Sequence, residues 1–231
     1  IYRVGLPSIL MELTETIVFI LFQRILAGFG SITLAALGIG IRVIDLAFMP
    51  SIGTAHGLLP IVGFCLGARL WERLWSAVRL ASLALVVLLG VATVFLEIFA
   101  PQVIAIFNDD PQLLAIAVPG IRIIISTLIV IGPAIMFITT FQGLSKGWTA
   151  ISLSLVRELV FFIPAIFILP RFMGLNGVWL SLPIADICGT AIAGFWLYRE
   201  YQLQKRSGIW DNVPETEPIP ESVPKGRSAL D

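Results

Sequence analysis

Six long apolar runs, parted by short turns of Gly, Pro, Asn and Asp, constrain this chain more than any other feature. They fall at roughly 4–26, 36–66, 76–100, 115–141, 148–170 and 176–198. A helix needs about 20 apolar residues to cross the hydrocarbon core of a bilayer. Within that core every backbone polar group must find its partner inside the protein. The runs therefore predict an all-α integral membrane protein, a bundle of six transmembrane helices. Composition excludes the soluble alternative: 58% of residues are hydrophobic and 13% charged, where soluble domains average roughly a quarter charged. The formal net charge of zero says little about partners. The lipid bilayer is the partner that the composition demands, and no nucleic acid is expected.

The turns are GARLWER (67–73), NDDP (108–111), GLSKG (143–147) and RFMGLNG (171–177). The second run is too long for one straight span, and Pro50 and Pro60 are expected to bend it, since proline removes a backbone donor and crowds the preceding turn. Pro119, Pro133, Pro164 and Pro183 extend that expectation to the later spans. Residues 1–200 thus read as a six-helix transmembrane lobe. Residues 201–231, with their Pro- and Glu-rich VPETEPIPESVP, read as a disordered polar tail, unable to bury enough apolar surface to fold. The chain opens on Ile rather than Met, which suggests a piece of a longer protein.

Lys and Arg in short loops collect on the cytoplasmic side. With a cytoplasmic N-terminus, that side holds Arg3, Arg69, Arg73, Arg79, Lys146, Arg199, Lys205 and Arg206, and the other holds Arg24 and Arg171. A multi-pass protein of the cell membrane with both ends of this segment cytoplasmic is the expectation.

Ionisable residues inside a span are costly and belong against the bundle interior or a water-filled cavity. In the first span Ser8, Glu12, Glu15, Phe19 and Gln23 fall within an arc of about 80° when wound at 100° per residue, with Thr16 at its edge. Glu12 and Glu15 lie roughly 12 and 16 Å below Val4, near the middle of the core. Such a stripe suits a hydrated path or a cation site, because two close carboxylates repel and can share a proton or a hard cation such as Na⁺. The plainer alternative is that the acids are protonated or paired with an arginine and serve packing alone. His56, the single histidine, sits in PSIGTAHGLLP and could line a cleft or relay a proton, or act only as a packing hydrogen-bond donor. Arg42 and Asp45, one turn apart, are expected to pair locally. Arg122, Arg157, Glu158 and Asp186 are read with them as an intramembrane charge network. Gly53, Gly57, Gly63 and Gly67 form two G-xxx-G spacings, expected to mark close helix contact. Cys65 and Cys188 lie far apart in apolar segments and read as small core residues.

No catalytic constellation is visible. A lone histidine precludes HExxH, and no Walker-type GxxxxGK[ST] occurs. No cofactor is expected; if the chain transports anything, an ion gradient must supply the energy, and otherwise it is a channel or scaffold.

Three stretches resemble the multidrug and toxic compound extrusion (MATE) family of cation-coupled exporters. They are GLPSILMELTE (5–15), MPSIGTAHGLLPIVGFCLGARLWER (49–73) and TTFQGLSKGWTAISLSLVRELVFFIPAIFILPRFMGLNGVWLSLPIADICG (139–189). The likeness runs through nearly all of residues 1–200 and is greatest to the bacterial and archaeal branch that expels drugs with Na⁺ or H⁺. It implies two six-helix lobes with substrate bound between them and alternating access, this chain being the C-terminal lobe and the N-terminal lobe its partner. It also implies small amphipathic, often cationic, organic substrates. One branch couples its cation through a carboxylate on the first helix of this lobe, eight residues after a Gly-x-Pro start, which here is Glu15, with Glu12 beside it. That branch also uses an acid on the fourth helix, and none lies between Asp110 and Glu158 here. In another branch the coupling acid belongs to the first lobe, which would leave Glu12 and Glu15 as cavity lining. Gln142 would act at the cytoplasmic end of the fourth span. A related group flips lipid-linked saccharides, and a non-transporting scaffold or half-protein is a further alternative.

Overall fold

The computed structural model describes residues 2–206, with side chains from Ile9 onward. Its helices are α1 (Tyr2–Ala27), α2 (Ser31–Gly67), α3 (Trp71–Ala105), α4 (Pro111–Ile125), α5 (Leu128–Gly143), α6 (Gly147–Leu155), α7 (Ile163–Met173) and α8 (Leu175–Arg206), with a π-helical segment, Val156–Phe162, joining α6 to α7. No strand occurs among the described residues. Four units are long and apolar enough to cross a membrane: α2, α3, α6 through α7, and α8; the bent pair α4 and α5 makes a fifth. Helix α1 is described with its side chains only from Ile9, and that part carries Glu12, Glu15 and Arg24.

The prolines do not interrupt the long helices. Helix α2 continues unbroken through Pro50 and Pro60, and α8 through Pro183. The fourth span instead breaks by 46° between α4 and α5, at Ser126 and Thr127 rather than at a proline. Ser126 Oγ donates to the Ile123 carbonyl at 2.7 Å and Thr127 Oγ1 to that of Ile124 at 3.0 Å. Hydroxyls that bond back to their own helix compete with its ladder and bend it. The π turn lies just ahead of Pro164, whose ring nitrogen cannot donate to the preceding turn, and the wider winding absorbs that defect.

Helix ends follow from local chemistry. Asn108 Oδ1 accepts from the Asp110 amide and Asp110 Oδ1 from the Gln112 amide, both at 2.9 Å. This caps α4 ahead of Pro111 at its first position. The turns after α2 and α5 close alike: Leu70 donates to the Cys65 carbonyl at 2.8 Å and Lys146 to that of Phe141 at 2.9 Å. Between them Arg69 and Ser145 take left-handed φ of 57° and 59°, a conformation that usually falls to glycine.

Where side chains meet lipid, helix association rests on close packing rather than on hydrophobic transfer. Three apolar clusters do this. Leu58, Val62, Leu74, Met136 and Phe141 anchor the first, and Ala36, Leu96, Ala117 and Ile121 belong to another. The cluster that seats α1 joins Phe22 to Phe162 and Trp179, with ring centroids 6.0 and 6.2 Å apart. A Cβ on Gly120 would lie 2.5 Å from the Trp179 indole, and one on Gly143 2.7 Å from Val62. These glycines are the sites of close approach. Gly53, Gly57, Gly63 and Gly67 have nothing within 4 Å of a built Cβ, so the expected G-xxx-G contact is not made within the described chain. Helix α3 presents Leu80, Val87, Val91, Val94 and Ile98 outward, a face suited to acyl chains.

Helix α8 also outruns the predicted lobe boundary at 200. Its last turns dock: Glu200 accepts from Lys146 Nζ at 2.6 Å, Gln204 accepts from Trp75 Nε1 at 3.2 Å, and Tyr201 meets Trp75 edge-on at 5.3 Å. These contacts hold residues 201–206 in the helix. From residue 207 the predicted tail lies outside the described residues.

Candidate functional site

The site lies where α1, the π segment and the middle of α8 converge. On α1, Glu12 and Glu15 are exposed, as is Phe19, while Gln23 is half-buried. Ser8 falls among the residues whose side chains are not described. Thr16 Oγ1 donates to the Glu12 carbonyl at 2.8 Å, so it leaves the polar stripe for its own helix. Gln142 Nε2 reaches across from α5 to Met11 Sδ at 3.7 Å, one residue from Glu12.

Arg157 stands at the centre. Its Nη1 donates to Asp186 Oδ1 on α8 at 2.8 Å, and its Nη2 pairs with Glu158. Consecutive residues on an α-helix do not face one another; the π winding is what this pairing accompanies, and π turns recur at functional sites. Glu158 and Asp186 are buried, as partnered acids can be at tolerable cost. Gly189 admits the arginine stem, because a Cβ there would stand 2.7 Å from Arg157 Cγ. Thr190 Oγ1 donates to the Asp186 carbonyl at 2.6 Å, one turn beyond the acid. Glu15 completes the group: it lies within electrostatic reach of Arg157 and Glu12 but makes no ion pair itself among the described residues.

The other expected members of the network lie elsewhere. Arg42 and Asp45 are both exposed on α2 and form no ion pair with each other among the described residues; a short-range pair on an open face gains too little to fix two side chains. Arg122 pairs with Glu97 of α3, its Nε at 3.6 Å from the carboxylate and its Nη2 at 3.1 Å from the backbone carbonyl. Glu97 was overlooked in the sequence, although a lone acid in the apolar run VFLEIFA is itself a signal. His56 is exposed on α2 beside the open Gly53 and Gly57. Cys65 is buried and Cys188 half-buried, both free.

Chemically, two carboxylates hold one guanidinium and a third, Glu15, lies within its electrostatic reach. With all ionised, the cluster carries two uncompensated negative charges, and the least committed carboxylate is the exposed one. Such a group can take up a proton or a monovalent cation. No set of three or more His, Cys, Asp or Glu side chains among the described residues is arranged to hold a metal ion. A Na⁺ on Glu15 would therefore complete its shell with carbonyls, hydroxyls or water.

An all-helical bundle with an outward apolar face and helices of membrane-crossing length defines a multi-pass membrane protein. The MatE family model matches residues 7–168, and the chain belongs to that family. The chain is 25% identical over 160 residues to the multidrug export protein MepA of Staphylococcus saprophyticus, a match covering 69% of this chain and 35% of that protein. It is 30% identical over 127 residues to the probable multidrug resistance protein NorM of Thermotoga maritima, covering 54% of this chain and 27% of that one. Its fold is that of the Vibrio cholerae MATE transporter VcmN, with a TM-score of 0.81 at 21% identity over 91% of this chain and 47% of that one. An outward-facing multidrug resistance MATE family transporter of the MOP superfamily gives a TM-score of 0.83 at 24% identity over 89% and 47%. The chain thus spans about half the length of the solved transporters it matches.

Proposed function

We propose that this chain is one lobe of a secondary active multidrug exporter that exchanges Na⁺ or H⁺ for amphipathic, often cationic, organic compounds. The multidrug export named for MepA and the multidrug resistance named for NorM support that substrate class. The observation that carries the coupling half is the excess of carboxylate over guanidinium around Arg157, with Glu15 as the acid left open. A carboxylate in a membrane helix without a full partner gains strongly from a cation, and a gradient can load and unload it. Glu12 would supply further negative potential for the ion or a cationic substrate. Phe19 offers an aromatic face beside it, and Gln23, Gln142 and His56 are candidates for the cleft wall.

The flippase alternative calls for free cations to hold pyrophosphate. Arg157 and Arg122 are both engaged by carboxylates, which favours the exporter. Everted vesicles carrying the complete transporter separate the two readings with a fluorescent cationic dye and then a lipid-linked saccharide. Glu15→Gln is expected to abolish gradient-driven dye efflux while leaving protein in the membrane at normal levels. Ion-driven efflux that survives Glu15→Gln unchanged would remove Glu15 from the coupling role.

A further inference from the structure

Arg157 is bonded to two acids and within electrostatic reach of a third. It holds Asp186 at 2.8 Å and pairs with Glu158, while Glu15 on α1 stays unpaired. Among the described elements packed on the π segment, α1 adds Glu12 and Glu15 to this cluster and bears Arg24 only in its last turn; α6 is uncharged, α7 bears only Arg171 in its last turn, and the other charges of α8, Arg199, Glu200, Lys205 and Arg206, lie in its last turns. When a cation leaves Glu15, Arg157 is therefore the one positive charge inside the cluster. Arginine does not release its proton in proteins, so it cannot pass a proton on. It can change which carboxylates it holds. Its long stem packs closely on the bare Cα of Gly189, which fixes the base and leaves the change of partner to the guanidinium end.

We propose that Arg157 is a tethered competitor of the coupling cation. It is held by Asp186 and Glu158 while Glu15 is loaded, and is drawn toward Glu15 when the cation departs. The inference rests on the reading of Glu15 as the coupling acid. It makes Arg157 a positioning residue that sets how much cation is needed to drive transport, without touching the substrate.

The paired substitution Arg157→Gln with Asp186→Asn removes one charge of each sign, so the cluster keeps its net charge and loses the competitor, while the glutamine amide still offers buried Glu158 a donor. Dye efflux is measured in the complete transporter against Na⁺ at fixed pH and against pH at fixed Na⁺. The expected result is a fall of about tenfold in the half-activating concentration of the coupling cation, the scale of a typical linkage between two sites, with the dye concentration dependence unchanged. Asp186→Asn alone frees the guanidinium from α8 and is expected to raise the half-activating concentration, which keeps the test available if the paired variant fails to accumulate. Unmoved activation in whichever variant accumulates, alongside loss of coupling in Glu15→Gln, overturns the competitor role and spares the Glu15 reading. Unmoved activation in Glu15→Gln itself overturns both.

Discussion

A methyl group at position 189 would stand 2.7 Å from Cγ, 3.0 Å from Cβ and 3.1 Å from Cδ of Arg157. The whole stem would have to shift, and with it the bond to Asp186. Gly189→Ala is accordingly expected to destabilise the lobe by about 1–3 kcal/mol, the cost of overpacking a filled contact, read as a lower thermal midpoint in detergent. Gly53→Ala, with nothing within 4 Å, should leave that midpoint unchanged. These two glycines also show what residue-level reading can reach. The G-xxx-G spacing identified backbones that could approach closely, but spacing does not say which face another helix covers. Glu15, Glu158 and Asp186 were each legible as charges in apolar runs, because their cost in a membrane makes them conspicuous. Arg157 was legible beside them as a member of one charge network, but which acids it holds was not, since Asp186 lies 29 residues away along the chain and Glu15 far more. Arg122 and Glu97 repeat the point: their pairing depends on how α3 lies on α4.

Among the elements, the long apolar runs gave the helices because length and hydropathy act locally, whereas their internal breaks depend on competing bonds. Prolines announced bends that α2 and α8 absorb without a break, while Ser126 and Thr127 turned the fourth span by redirecting two hydroxyls. The turns carry a similar tension. Ser145 holds φ at 59° so that Lys146 can reach the Phe141 carbonyl, a conformation that costs a residue with a Cβ about 1–2 kcal/mol. Glycine removes that cost but loses more freedom on folding, by about 0.5–1 kcal/mol. Ser145→Gly should therefore stabilise by roughly 0.5–1 kcal/mol, seen as a raised thermal midpoint with unchanged efflux. A lowered midpoint would mean that the serine side chain contributes something beyond the turn.

At the scale of the whole molecule, the basic loops that suggested an orientation converge on one end of the bundle. Lys146 meets Glu200, and Trp75, just beyond Arg69 and Arg73, meets Gln204 and Tyr201. The turn at Asn108 to Pro111 lies at the far end of α3 and carries Asp109 and Asp110 instead. Positive charge resists translocation while acidic loops contribute little to orientation, so the Lys146 end is expected to face the cytoplasm and the Asn108 turn the outside. Asn108→Cys and Ser145→Cys, each in the complete transporter with Cys65 and Cys188 replaced by Ala, put single thiols on exposed turns at opposite ends. A membrane-impermeant maleimide should label the first in intact cells and the second only after permeabilisation. The reverse pattern would invert the bundle, placing the clamp formed by Lys146 and Glu200 outside and the exposed face of α1 in the opposite sense to the gradient.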